Sequence, residues 1–400
     1  MDETSDAGNG YDPAMTHYLV LGAGLQGTAA VYDLLGACKA DLVTWVEGDP
    51  KRLESGLRRL ANLGCSERLK GQLLDANDNR ALQPLFGEAD VCVNALPYRF
   101  SVSMTMLALE GRCHYLDLGG NTEVVREQLA LHEAHRSAGE LCVLPDCGLM
   151  PGMGNLFVAY AVAELGDCER VTVRCGGLPQ EPRPPLGYFL SFSVAGLTNE
   201  YFGQATVLRG GKPVEIDTFG ELEQLEIDRV GSVEAFITSG GLSTTPWTYE
   251  GRIAELDYKT VRYPGHHAKF ATLAELGLLG EEPVIVDGHG VVPRHVLHKM
   301  LEDHLPKDDR RDLVTMRCEA IGAADGRRLT IEVFDQFDPE TGFTAMERTT
   351  AWSTTICAQA VADGDIEPGP RPLEQAVDPV RYVKALIKRG FDVTVDDSAE

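Results

Sequence analysis

Along the first third of the chain, short apolar runs alternate with stretches whose apolar residues recur every three or four positions. The runs fall at residues 17–21, 41–47, 69–74, 89–95, 113–118 and 140–144, and each reads as a strand. After the second run, Pro50 opens a helical pattern through Leu53, Leu57 and Leu60, proline being harmless in a first turn whose N–H has no helical partner. This alternation predicts an α/β fold with a Rossmann-type parallel sheet. From Met150 the pattern changes. Pro151 starts a helix through Leu165, and strands then dominate, at 171–176, 188–194, 254–263, 313–321 and 329–337. Between them Pro293 opens a helix with Val296, Leu297, Met300 and Leu301 on one face. Strand runs after a βαβ half predict a second α+β domain with a mixed sheet. An amphipathic helix near 352–361 is expected to return to the first domain. The division is then a disordered tail at 1–15, a nucleotide-binding domain at 16–149, a substrate domain at 150–345 and a closing helical segment at 346–390.

Length and composition agree with two cores, since 400 residues exceed what one usually serves and 44% of them are apolar. The formal charge of −25 repels nucleic acid and anionic membrane surfaces and draws in small cations. A solvated acidic surface or adaptation to salt fits the same number. The first ten residues, MDETSDAGNG, lack the basic and apolar parts of a signal peptide, and no apolar run reaches the length of a membrane span. The ten cysteines contain no C-x-x-C pair, which points to a reducing compartment, the cytoplasm by default, and to no structural zinc.

The first candidate chemistry lies where the first strand breaks into Gly22-Ala23-Gly24-Leu25-Gln26-Gly27. In G-x-G-x-x-G, Gly22 permits the turn, Gly24 lets a pyrophosphate approach the backbone and Gly27 lets the helix pack on the strand, with Leu25 and Gln26 opening that helix. The second strand ends in Glu47, twenty residues beyond Gly27, where an acid grips a ribose 2′-OH and selects NAD. Asp75, at the next strand end, falls near an adenine or caps a helix. Ala95, Leu96 and Pro97 reach the carboxyl edge of the sheet, where such folds bind ligands, and Tyr98 is expected at the nicotinamide end. Asp117 and Asp146 arrive at the same edge, each with a loop hydrogen bond or helix cap as its other reading. His132-Glu133-Ala134-His135 has the wrong spacing for H-E-x-x-H. His295 and His298 share a helix face without a third ligand nearby, so no metal is predicted.

In the second half, Arg174-Cys175-Gly176-Gly177-Leu178-Pro179, Pro185-Leu186-Gly187-Tyr188 and Phe192-Ser193 resemble the saccharopine dehydrogenase (reductase) family. Glu234-Ala235-Phe236-Ile237-Thr238-Ser239-Gly240-Gly241-Leu242-Ser243-Thr244 and Tyr258-Lys259-Thr260-Val261-Arg262-Tyr263-Pro264-Gly265-His266 are more similar to its lysine-oxidising members. The likeness extends over nearly the whole chain, including Asp117-Leu118-Gly119-Gly120 and Arg348-Thr349-Thr350-Ala351. The saccharopine-reducing members carry a carboxylate-holding arginine after Glu-Ala, where this chain has Ile237-Thr238-Ser239-Gly240, and they lack the aspartate matching Asp117. The resemblance implies NAD-dependent oxidative deamination of L-lysine at its ε-carbon, with release of ammonia and cyclisation of 2-aminoadipate 6-semialdehyde, in a homo-oligomer. The alternatives are a saccharopine or carboxynorspermidine dehydrogenase and a nucleotide-binding regulator without chemistry.

Hydride can leave the ε-carbon only when the amine has a lone pair, and a lysine ammonium, with a reference pKa of about 10.4, is almost wholly protonated at neutral pH. Removing that proton at pH 7 costs about 4–5 kcal/mol, so a base and a dry pocket are needed. Asp117 is the first candidate for the base and His266 the second. Arg262 is assigned to the substrate carboxylate. Lys259, Thr238 and Asp146 complete the expected substrate contacts, with a structural ion pair as the other reading of Lys259 and Arg262.

Overall fold

A computed structural model describes residues 16–134, 140–369 and 371–398. The N-terminal stretch assigned above to a tail lies outside them, as do the side chains of His132, Glu133 and His135. The first sheet contains β1 (His17–Leu21), β2 (Leu42–Glu47), β3 (Leu69–Leu73), β4 (Val91–Asn94), β5 (His114–Asp117) and β6 (Val143–Leu144). Its order is β3-β2-β1-β4-β5-β6 with every pair parallel. Strand order reverses between β1 and β4, which opens a crevice at their carboxyl ends, where Leu21 lies opposite Asn94. Trp45 of β2 is fully buried and donates from Nε1 to the Gly22 carbonyl at 2.9 Å, so core packing itself braces the turn after β1.

The second sheet is mixed. It contains β7 (Cys168–Pro179), β8 (Gln204–Arg209), β9 (Lys212–Asp217), β10 (Glu223–Ile227), β11 (Gly231–Ile237) and β12 (Ile253–Arg262). A separate ribbon, β13 (Val284–Val286) with β14 (His289–Val291), precedes β15 (Asp312–Gly322), β16 (Arg328–Gln336) and β17 (Asp392–Ser398). The main path is β10-β11-β12-β7-β15-β16-β17, with β8 and β9 branching from β12. Only β12 with β7 is parallel.

Several sequence expectations need correction. Residues 188–194 form no strand: Tyr188 and Phe189 are buried individually in an irregular segment, which ends where Ser193 caps the helix Val194–Glu200 by accepting from the Gly196 N–H at 3.1 Å. Apolar spacing there reflects separate insertions into a core, with Leu197, Tyr201, Phe236 and Phe270. The helix expected from Pro151 begins at Gly154 because Met150, Pro151 and Gly152 have non-helical backbones. In Pro293–His304 the apolar face divides, with Leu297 and Leu301 buried and Val296 and Met300 exposed.

The helix Ala345–Ala362 packs on Leu25–Gly36 and starts with a capping box of Thr344 and Glu347, a device that satisfies two orphan N–H groups reciprocally. Asp312 accepts from the Ala345 and Met346 N–H groups at 2.7 and 2.9 Å, and Glu347 pairs with Arg59 of the first domain at 3.0 Å. Pro379–Lys388 packs on Gly154–Leu165, and β17 closes the edge of the second sheet. Buried Asp33 of the first helix meets Arg389 at 3.0 Å. The chain's last segment thus joins both halves.

Candidate functional site

The turn after β1 is built for close approach. Gly22 has φ +97°, and a Cβ there would lie 3.1 Å from the Ala95 carbonyl oxygen. A Cβ on Gly27 would meet the Gly22 oxygen at 1.9 Å. Gly24 borders open space, with nothing within 4 Å of its Cβ position, and it caps Leu25–Gly36 without a side-chain hydrogen bond or an acid in the first turn. The helix N–H groups are therefore left to a ligand, and a pyrophosphate fits them. Gln26 sends its Nε2 to the Met346 carbonyl at 3.2 Å, so only its backbone serves this cradle.

Glu47 is buried at the end of β2, accepting from the Ala23 N–H at 2.7 Å and the Asp49 N–H at 2.9 Å. It clamps the glycine turn and keeps a negative charge beside it. Asp75 is exposed and accepts from the Asn77 backbone and side chain at 2.9 and 2.8 Å, which holds its carboxyl below the usual range. Ala95 and Leu96 cover Gly22, Pro97 begins the turn that carries Tyr98, and the Tyr98 ring faces Gly120.

The two aspartates depart from their expected roles. Asp117 is buried and saturated. Its Oδ1 accepts from the Gly119 and Asp146 N–H groups at 2.9 and 3.1 Å, and its Oδ2 from Tyr115 Oη and Gln128 Nε2 at 3.1 and 2.8 Å. A carboxylate so engaged fixes the loops after β5 and β6 and has no free edge for a substrate proton, so the loop reading replaces that of a base. Asp146, also buried, accepts from Ser243 Oγ and reaches the open cleft only through it. Its Oδ1 is buried without a hydrogen-bond partner, and burial pushes its carboxyl well above the usual range, with the charge of Asp117 adding to the shift.

A cleft of about 260 Å³ opens between the two halves, lined on one side by Gly120, Glu123 and Arg126 and on the other by Asn199, Glu215, Thr238, Ser243, Trp247 and Tyr258. Asn199 Nδ2 donates to the Gly120 carbonyl at 2.9 Å, and the Arg126 guanidinium lies 3.9 Å from the Trp247 ring centroid. Thr260 Oγ1 bonds Thr238 Oγ1 at 2.7 Å and Tyr258 Oη at 2.9 Å.

On β12 the residues alternate in direction, so Tyr258, Thr260 and Arg262 share one face and Lys259 takes the other. Lys259 is buried in an ion pair with Glu223, with Glu221 at 3.5 Å, in a network that also holds Arg174 and Asp257. It is structural. Arg262, its side chain 4% exposed, donates from Nε to Tyr201 Oη at 2.8 Å and from Nη1 to the Val261 carbonyl at 2.9 Å. Only Nη2 is left, 3.8 Å from Glu200 Oε2. No bidentate edge faces a substrate carboxylate, which corrects that assignment. His266 is buried, with Nε2 2.9 Å from Tyr201 Oη and Nδ1 3.1 Å from the Leu186 carbonyl. Burial and the Arg262 charge push its imidazole down to about 3, so it stays neutral and orients Tyr201 instead of taking a proton.

Sequence reasoning missed Glu200. Its carboxylate accepts no hydrogen bond among the described residues and has Arg262 as its ion partner, yet its side chain is 28% exposed. Burial among Tyr188, Tyr201, Tyr258 and Cys175 raises it to about 7, against the opposing pull of Arg262. The segment Thr198-Asn199-Glu200-Tyr201 contains no motif that distinguishes this acid from a solvated one. Among the described residues no three His, Cys, Asp or Glu side chains gather as a metal site. His298 instead bonds Thr198 Oγ1 at 2.7 Å. All ten cysteines are free, and no described helix is long and apolar enough to cross a membrane.

Comparison with known proteins covers both halves. A family model described as the saccharopine dehydrogenase NADP binding domain matches residues 18–143, and one described as the saccharopine dehydrogenase C-terminal domain matches residues 148–391. A Schizosaccharomyces pombe protein named saccharopine dehydrogenase (NADP(+), L-glutamate-forming) is 28% identical over 222 residues, covering 53% of this chain and 48% of that one. The Saccharomyces cerevisiae protein of that name is 23% identical over 251 residues, covering 60% and 55%. The chain spans about half the length of these curated relatives. A solved structure of apo saccharopine dehydrogenase (L-Glu forming) from Saccharomyces cerevisiae superposes with a TM-score of 0.74 at 19% identity, covering 96% of this chain and 100% of that one. At that identity the match shows the shared fold.

Proposed function

The chain belongs to the saccharopine dehydrogenase family, and from that premise we propose that it is a nicotinamide-dependent oxidoreductase that oxidises the ε-amine of L-lysine, with NAD as hydride acceptor. The charge of the site carries the choice of substrate. The cleft wall presents Glu215 and the Glu123–Arg126 ion pair, and Glu200, next in the chain to the cleft residue Asn199, has its side chain 28% exposed, with Arg262 committed to tyrosine, backbone and Glu200 itself. Such a site favours a cationic amine with one carboxylate over saccharopine, whose three carboxylates call for several free cations. The names of the curated relatives favour a second reading, oxidation of the secondary amine of saccharopine with NADP.

In the first reading Glu200 takes the ammonium proton and so frees the lone pair that hydride departure needs. Arg262 keeps part of the Glu200 population ionised at neutral pH by opposing the effect of burial. Arg126, its guanidinium 3.9 Å from the Trp247 ring centroid and its Nη1 donating to Glu123 at 3.3 Å, offers the substrate carboxylate its remaining N–H groups. The open backbone at Gly24 and the uncapped helix behind it would hold the dinucleotide, which supplies the hydride acceptor. Water then adds to the imine carbon and ammonia leaves. An assay of reduced cofactor formed from L-lysine, saccharopine and simple diamines tests the proposal: lysine gives the highest kcat/KM, and turnover with saccharopine alone rejects it.

For the cofactor, the family model is described by NADP, whereas Glu47 argues for NAD because its charge repels a 2′-phosphate and accepts from a 2′-OH. Glu47→Ala is expected to cut kcat/KM with NAD about tenfold or more, the loss of one charge-assisted hydrogen bond of about 1.5–3 kcal/mol, and to narrow the preference over NADP. A wild-type kcat/KM with NADP equal to or above that with NAD refutes this assignment.

A further inference from the structure

The cleft between the two halves has two kinds of lining. Buried Thr238, Ser243 and Tyr258 supply neutral hydroxyls, whereas the exposed Arg126, Trp247 and Glu215 supply charge and an indole. Glu215 differs from the other acid of that lining. Glu123 pairs with Arg126, but the Glu215 carboxylate has no hydrogen bond or ion pair among the described residues. Three contacts organise the exposed part. Thr206 of β8 is directly opposite Glu215 of β9, and opposed residues of an antiparallel pair share a face, so this half-buried cleft hydroxyl lies beside the carboxylate. The helix Thr245–Thr248, which carries Trp247, packs on both β8 and β9. The Arg126 guanidinium in turn lies 3.9 Å from the Trp247 ring centroid. A cation and an uncommitted carboxylate are thus brought to one cleft through one short helix.

That combination matches one chemical group. The α-carbon of an amino acid carries an ammonium and a carboxylate side by side, a zwitterion that calls for an anion and a cation within one site, whereas a simple diamine brings two cations and no anion. Arg126 keeps N–H groups for the carboxylate beyond the one given to Glu123. Glu215 has only water to exchange for an ammonium, so a charge-assisted hydrogen bond to substrate breaks no contact within the protein. A divalent cation is the competing ligand, and it demands more oxygen donors than one carboxylate and one hydroxyl. No three His, Cys, Asp or Glu side chains gather here or elsewhere among the described residues.

We propose that Glu215 holds the α-ammonium of the substrate and, with Arg126 on the carboxylate, makes the cleft select α-amino acids over simple amines. The assignment rests on the reading of this cleft as the amino acid site, but it does not depend on the choice between lysine and saccharopine, since both carry the same α-amino acid end. The test compares wild type and Glu215→Gln on L-lysine and on 6-aminohexanoate, which is lysine without its α-amino group and is followed as a substrate or as a competitive inhibitor. The variant is expected to raise KM for lysine about 5–50-fold, between the contributions of an exposed ion pair and of a charge-assisted hydrogen bond, with a smaller change in kcat, as befits a contact made equally in ground and transition states. The constant for 6-aminohexanoate should change less than twofold, so the preference for lysine over it falls by the same factor. An unchanged KM for lysine, or an equal loss with both compounds, overturns the proposal while leaving lysine oxidation standing. If the wild type oxidises saccharopine and not lysine, the lysine reading fails by itself, and the same comparison with saccharopine and its analogue lacking the α-amino group decides the role of Glu215. A wild type that oxidises simple diamines and neither amino acid overturns both.

Discussion

Glu200→Gln is expected to lower kcat for lysine oxidation at neutral pH by about 10²–10⁴, the usual contribution of a positioned general base, while leaving the fold intact. The amide is nearly isosteric, and the carboxylate it replaces accepts no hydrogen bond among the described residues, so little is lost structurally. Wild-type kcat/KM should rise through about pH 7, where Glu200 becomes ionised, because only the carboxylate accepts a proton. The variant should lack that limb and recover activity toward pH 10 and above, as solution supplies free amine near its reference pKa of about 10.4. Superimposable pH profiles for the two proteins remove Glu200 from the mechanism. Asp117→Asn is a useful contrast, since Asp117 receives four hydrogen bonds and an amide cannot accept all of them. Its replacement should lower thermal stability without erasing the limb at pH 7.

The second large effect is expected at Arg262. Arg262→Met keeps much of the side-chain volume and removes the cation that pulls the Glu200 carboxyl down. Losing a nearby opposite charge raises a carboxyl by about 1–3 units, so the ascending limb should move from about 7 toward 8–10, and kcat/KM at pH 7 should fall about 5–500-fold. The sign is fixed: the base becomes harder to ionise, so activity is lost at neutral pH and regained in alkali. Removing one partner of a buried pair can cost about 3–5 kcal/mol when the other charge is stranded. Glu200 escapes that penalty by binding a proton, so the melting temperature should fall less at pH 6 than at pH 9. An unchanged limb with a raised KM for lysine would instead mean that Arg262 contacts the substrate after all.

How much of this was legible in the sequence depended on how local the cause was. The glycine turn, the six parallel strands and Glu47 were readable because apolar runs, a positive φ and a strand-end acid are fixed within about thirty residues. The second sheet was only partly readable. Its strands β8 to β10 are short and half exposed, so their composition resembles that of loops, while the irregular segment at 188–193 has the spacing of a strand without the pairing.

The site residues separate in the same way. That Lys259 and Arg262 would be charged and lie within three residues of each other was plain from the chain, but alternation along β12 sends Lys259 to an ion network and Arg262 to a nearly dry pocket. That Asp117 would reach the sheet edge was also plain, but not that two N–H groups, a tyrosine and a glutamine would converge on it. Glu200 owes its shifted carboxyl to residues from β7, β12 and the 188–201 segment, distant in sequence and packed around it. Sequence by itself determined where backbone turns and apolar faces occur, since these follow from each residue's own torsions and side-chain polarity. Only the tertiary structure decided which charges are spent and which are poised, because desolvation and pairing are set by neighbours that the fold brings together.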